Sequence, residues 1–244
     1  MNVLVFGATS AIAHAIDRRY AAGAGSFFLV GRDRAKLQAN AQDLRDRGAT
    51  NVATTEADLT KLELHDALVG QAIAALGRLD VVIIAHGVLP DQLALERDPE
   101  QLRATVETNL TSVLSLASAS ARQLASQRAG SLVVMGSVAG DRGKLSNYVY
   151  GAAKAGIAVF LDGLRARLRP QGVHVLTVKP GFVDTPMTAR FKKGFLWATP
   201  DRVAAAVCAA IDRRRSVIYV PWFWRPVMLV IRALPRPLFE RLGL

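Results

Sequence analysis

A tyrosine and a lysine four residues apart, in Tyr150-Gly151-Ala152-Ala153-Lys154, are the side chains of this sequence best suited to moving a proton. Helical positions i and i+4 share a face, so a helix here directs phenol and ammonium into one space. A free phenol, with a pKa of about 10, exchanges protons poorly at neutral pH, and a neighbouring cation is expected to lower that value. Ser137 lies upstream at the end of the apolar run 131–137, which reads as a buried strand. A strand end and a helix would then present Ser137, Tyr150 and Lys154 to one cleft. Tyr148 competes for the acid role, but position 152 is alanine, so it lacks a lysine at i+4 and reads as a wall of the substrate pocket.

The first strand-like run, Asn2 to Phe6, leads into Gly7-Ala8-Thr9-Ser10-Ala11-Ile12-Ala13 and then a helical pattern. Strand, tight turn and helix form the setting in which a glycine-rich loop binds phosphate. Only Gly7 is glycine here. Alanine at 11 and 13 still allows close approach of a pyrophosphate if φ stays negative. Cofactor choice reads from the end of the second strand, where Gly31 is followed by Arg32, Asp33 and Arg34. An acid at the strand end would take the ribose hydroxyls of NAD, whereas an arginine suits the 2′-phosphate of NADP. Arg32 makes NADPH the expected cofactor over NADH, with Asp33 the competing feature.

These motifs, in this order, resemble the classical short-chain dehydrogenase/reductase family over nearly the whole chain. The resemblance extends to Asp58 in Ala57-Asp58-Leu59, Asn109 in Thr108-Asn109-Leu110, and Pro180-Gly181-Phe182-Val183-Asp184-Thr185. It departs at Ala11 and Ala13, where the family's GxxxGxG has glycines, and at Ala85-His86-Gly87, where the family has Asn-Ala-Gly. The resemblance implies a catalytic set of Asn109, Ser137, Tyr150 and Lys154. Tyr150 would be the acid in ketone reduction, Ser137 would hold the carbonyl oxygen, Lys154 would also bond the nicotinamide ribose, and Asn109 would hold a water in a relay to Lys154. It implies a cofactor site of Gly7, Thr9, Ser10, Ala11, Ile12, Arg32, Asp58, Leu59, Ala85, Gly87, Tyr150, Lys154, Pro180, Gly181, Val183 and Thr185, and a homodimer or homotetramer.

The chain of 244 residues, 51% hydrophobic, is long enough for one sizeable core, with no linker, low-complexity tract or internal repeat. Strand-like runs at 2–6, 26–30, 51–56, 79–85, 131–137, 173–179 and 216–220 alternate with helical segments. That alternation predicts an α/β fold, a Rossmann-type doubly wound parallel sheet of about seven strands. Residues 1–221 read as the domain and 222–244 as its C-terminal amphipathic extension. No leader-like segment precedes the first strand, so the expected location is the cytoplasm. Cys208 reads as a small apolar residue of a helix. The four histidines lack ligand spacing, which predicts no metal site, and His86 alone falls beside the expected cofactor pocket.

The tail carries Trp222 and Trp224 among Arg225, Arg232, Arg236 and Arg241, too interrupted to span a bilayer. An apolar segment with interfacial aromatics can lie in a membrane surface, and a net charge of +11 favours anionic lipid. This predicts peripheral contact through 222–244 at the inner face of the cytoplasmic membrane; packing over the pocket or in a dimer interface is the alternative. No nucleic-acid motif accompanies the charge. Trp222 to Leu244, with 137–142 and 147–150, looks like the decaprenylphosphoryl-2-keto-erythro-pentose reductases, which implies a lipid-linked keto-sugar. A general carbonyl or 3-oxoacyl reductase on soluble or carrier-bound substrates and a non-catalytic dinucleotide-binding scaffold are the other classes.

Overall fold

The computed structural model describes residues 1–241. Its strands are β1 (Asn2–Phe6), β2 (Ser26–Gly31), β3 (Asn51–Glu56), β4 (Val81–Ile84), β5 (Ser131–Met135), β6 (His174–Pro180) and β7 (Val217–Val220). Every neighbouring pair is parallel, in the order β3-β2-β1-β4-β5-β6-β7. Parallel neighbours need crossovers, and the helices that supply them cover both faces of the sheet. They are α1 (Ala11–Ala21), α2 (Arg34–Asp46), α3 (His65–Leu76), α4 (Gln92–Arg97), α5 (Pro99–Val106), α6 (Ser112–Gln127), α7 (Tyr148–Leu168) and α8 (Pro200–Asp212), followed by α9 (Trp224–Ala233) and α10 (Arg236–Arg241) in the tail.

Coverage on both faces explains why β1 is apolar from Val3 to Phe6. Successive side chains point to opposite faces, so Val3 and Val5 join the core that contains α1, α2 and α8 residues. Leu4 and Phe6 join the core built with α3, α6 and α7. The chain reverses its winding between β1 and β4, and ligands of such sheets bind in the crevice at the carboxyl ends of the strands that flank the reversal. Gly7 follows β1 there, and Ala85 to Gly87 follow β4.

Strand ends are shorter than the apolar runs suggest, for local reasons. The amide of Gln127 takes the Leu79 N–H at 3.1 Å and donates to the Leu79 carbonyl at 2.8 Å, which holds that residue outside the ladder. After Met135 the Gly136 N–H crosses to the Val178 carbonyl at 2.8 Å, and Ser137 lies two residues beyond β5 rather than in it. A third, small core joins Val138 to Trp224 and Met228, so the tail is packed against the loop after β5.

Candidate active site

A cavity of about 870 Å³ opens along the carboxyl ends of the strands, a size ordinary for a small-molecule site. Its deep wall carries Ser137, Tyr150 and Lys154. Ser137 caps the helical turn Val138–Gly140, its hydroxyl accepting from the Ala139 N–H at 3.1 Å. Tyr150 and Lys154 come from the first turns of α7, with the ammonium 5.6 Å from the phenol ring centre. Lys154 is 4% exposed and donates to the Met135 carbonyl at 2.8 Å.

The electrostatics reverse one expectation. Burial pushes the Tyr150 phenol up to about 12, the Ser137 hydroxyl hydrogen bond working in the opposite direction. Burial pushes Lys154 down to about 8. The phenol therefore does not lie below its ordinary value: burial raises it, and the Lys154 ammonium is aimed at the Met135 carbonyl. Tyr150 holds its proton firmly at neutral pH, the state a proton donor needs.

Of the other expected site residues, Gly7, Thr9, Ser10, Ala11, Ile12, Arg32, Asp58, Leu59, Ala85, Gly87, Pro180, Gly181, Val183 and Thr185 all line the same cavity. Asn109 does not. It is fully buried in a π-helical turn, Glu107–Thr111, and both ends of its amide hold Val88: Oδ1 accepts from the Val88 N–H at 2.9 Å and Nδ2 donates to its carbonyl at 2.9 Å. Such bulges re-aim single side chains, and this one fixes the loop after Gly87.

The phosphate end fits a dinucleotide on its own geometry. Gly7 has φ +79, and a Cβ there would stand 2.6 Å from the His86 backbone nitrogen, so no other residue would keep this turn. Ala11 and Ala13 lie in α1, and the described non-glycine residues with positive φ are elsewhere, at Ala24, Arg128 and Arg214. The alanines therefore meet the condition the turn imposes. The N-terminus of α1 has no side-chain cap and no acid in its first turn, which leaves its N–H groups free for an anion. Asp33 is taken up elsewhere, capping α2 through the Lys36 N–H at 3.0 Å and pairing with the Lys36 ammonium. Arg32 lines the cavity beside Asp58, whose carboxyl is held below its usual value by the Thr60 N–H first and by Arg32 in part.

His86 is only half satisfied. Its Nε2 meets the Ser112 hydroxyl at 2.7 Å while Nδ1 is buried without a partner, and burial holds the ring down at about 3, neutral. Tyr148 is not a pocket wall: it is exposed on the far side of α7 and hydrogen-bonds Glu96. Cys208 is half-buried, packed against the core from α8.

The mouth was not legible in the motifs. Phe182, Met187 and Phe191 supply an apolar rim backed by the buried Trp224, with Lys144 and Arg190 as its cations. Phe182 stacks on Trp197 at 5.4 Å and meets Trp224 edge-on at 5.7 Å. Gly181 makes room for this, since a Cβ there would fall 1.9 Å from the Trp224 Nε1. The aromatic density of 182–197 and of the tail was the available signal; the loop 141–147 gave none.

A family model described as short chain dehydrogenase matches residues 1–194. An uncharacterized oxidoreductase of Mycobacterium tuberculosis H37Rv is 39% identical over 98% of this chain and 96% of its own length. One from Streptomyces coelicolor is 38% identical over 99% and 95%. The 3-oxoacyl-[acyl-carrier-protein] reductase FabG of Chlamydia muridarum is 30% identical over 76% and 75%. Among solved structures, a single-residue variant of the actinorhodin polyketide ketoreductase with NADPH superposes with a TM-score of 0.80 at 24% identity, covering 90% of this chain and 95% of that one.

Proposed function

Since the chain belongs to the short-chain dehydrogenase family, whose members bind NAD(P), we propose that it is an NADPH-dependent reductase of ketones that combine a large apolar group with an acidic one. The observation that carries this reading is the joining of two dissimilar ends in one cavity: a Ser137, Tyr150 and Lys154 wall, and a mouth of Phe182, Met187 and Phe191 beside Lys144 and Arg190.

The nicotinamide, when bound, supplies the hydride to the carbonyl carbon. Ser137 then holds the carbonyl oxygen through its hydroxyl, and Tyr150 gives that oxygen the proton that completes the alcohol. A phenol held up at about 12 is fully protonated at neutral pH, so the donor carries its proton before the hydride arrives. Lys154, anchored on the Met135 carbonyl, places its charge beside the site where negative charge grows on oxygen. Gly7 and the open end of α1 receive the pyrophosphate. Arg32 favours the 2′-phosphate, and Asp33 is already engaged as a cap.

The apolar, cationic mouth suits a lipid-linked ketone, of which a polyprenyl-phosphate keto-sugar is one member. It also suits a 3-oxoacyl group on an acyl carrier protein, a second reading favoured by the 30% identity to the Chlamydia reductase. The test is oxidation of NADPH and of NADH by the purified protein against aromatic, acidic and neutral ketones and a 3-oxoacyl thioester. Turnover of acidic apolar ketones with NADPH is expected. Failure of all ketones while NADPH or NADH still binds would leave a non-catalytic dinucleotide-binding scaffold, not a reductase.

A further inference from the structure

Helix α9 is apolar on two opposite sides. Trp224, Met228 and Ile231 recur on one face and pack into the small core with Val138, Leu196 and Tyr219. A helix that only had to meet water would be polar on its other side. Instead Leu229 is 68% exposed and Val230 62% exposed, and Trp222 just ahead of the helix is 73% exposed. Phe195, 94% exposed, adjoins Leu196, which packs in the same core as Trp224. Scattered exposed apolar residues are ordinary, but a contiguous group is an interaction surface.

The charges select its occupant. Arg225 and Arg232 flank the outward face, Arg236 follows, and Glu240 is the sole acid between Trp222 and Arg241. None of these arginines makes an ion pair among the described residues. A symmetric contact with a second copy would set this patch against itself, arginine facing arginine. An anionic bilayer offers what both features lack: an apolar boundary for Trp222, Leu229, Val230 and Phe195, and phosphates for the arginines. No helix among the described residues is long and apolar enough to cross a membrane, so contact would be from the side.

We propose that the outward face of α9, with Trp222 and Phe195, docks this protein on the surface of an anionic lipid bilayer. The cavity mouth belongs to the same region, since Phe182 on its rim touches Trp224. The surface stands independently of the reductase reading, because the experiment measures no turnover.

The experiment is co-sedimentation of the full chain with phosphatidylcholine vesicles, with and without phosphatidylglycerol, while NaCl rises from about 0.05 M to about 0.5 M. Wild type should sediment with the anionic vesicles at low salt and be released by high salt. Trp222→Ser/Leu229→Ser/Val230→Ser should partition roughly tenfold more weakly or worse, whereas Val159→Ser, equally exposed on α7, should match wild type. Arg225→Gln/Arg232→Gln, which changes two exposed side chains, reads the same binding through charge if the triple variant fails to fold. Three outcomes overturn the proposal: wild type ignoring anionic vesicles at low salt, both sets of variants sedimenting as wild type does, or light scattering that shows a wild-type dimer which the triple variant turns into monomers.

Discussion

At Tyr150 burial and the Ser137 hydrogen bond act in opposite directions, and burial wins, which sets the expected pH behaviour. Burial keeps the phenol near about 12 and lowers Lys154 to about 8. Between those values Tyr150 stays protonated while the ammonium is lost. Ketone reduction should therefore hold steady at lower pH and fall as pH rises through about 8, with one proton controlling the descent. Pre-steady-state pH–rate profiles would check this, and a descent only in the range of a free lysine would contradict it. Tyr150→Phe keeps the ring but removes the transferable proton, so turnover should drop by roughly 10²- to 10⁴-fold with NADPH affinity nearly unchanged by fluorescence titration. At the other end of the cavity, Arg32→Ala should weaken NADPH by roughly ten- to a hundredfold, the size of a lost charge-assisted contact. NADH should be affected little, and equal losses for both nucleotides would remove Arg32 from the 2′-phosphate.

Among the elements, those carrying short motifs were legible and those held by distant partners were not. Tyr150 and Lys154 could be placed on one helix because their spacing matches the helical repeat, and Ala11 and Ala13 could be accepted because helix α1 keeps φ negative. Asn109 could be placed in a helical segment, but its grip on both polar groups of Val88 depends on a π-helical turn that no local pattern announces. The tail showed its aromatics and arginines in the sequence. Which tryptophan faces inward was decided by Val138 and Gly181, far away in the chain. Trp224 is 4% exposed and Trp222 is 73% exposed, so cutting the chain before 222 would tear out core along with surface. Arg142 ties this element down: its guanidinium donates to the Ile231, Arg232 and Leu234 carbonyls at the end of α9 and lies 3.9 Å over the Phe239 ring. Those carbonyls have no helical partners of their own. Arg142→Met should lower the melting temperature and speed amide exchange in 224–241 more than in β1 to β6. Uniform exchange would mean the tail is held by Met228 and Trp224 alone.

For the molecule as a whole, the doubly wound sheet was readable from seven strand-like runs alternating with helices, the central ones apolar because burial on both faces leaves such a strand little choice. The same rule makes one exception conspicuous. Asp17 on α1 is 1% exposed, and neither carboxylate oxygen has a hydrogen-bond partner. The helix packs against α8, with Tyr20 on α1 itself and Cys208 and Asp212 on α8 as titratable neighbours; Arg19 acts on Cys208, and burial is what shifts Asp17. Burial raises the Asp17 pKa well above its ordinary value. In the unfolded chain the group titrates at about 3.9, so above that pH the folded state binds more protons than the unfolded one. Stability must then fall as pH rises from the unfolded pKa until the folded group itself ionises. Asp17→Leu removes an unsatisfied polar group from an apolar interface and should stabilise the fold by about 1–3 kcal/mol at neutral pH. The gain should shrink as pH is lowered toward about 4, because protonation then removes the same penalty from the wild type. Urea unfolding of both proteins across that pH range measures it directly. A gain that does not depend on pH would assign the effect to packing, and a loss would mean that Asp17 has a partner when the protein is in solution.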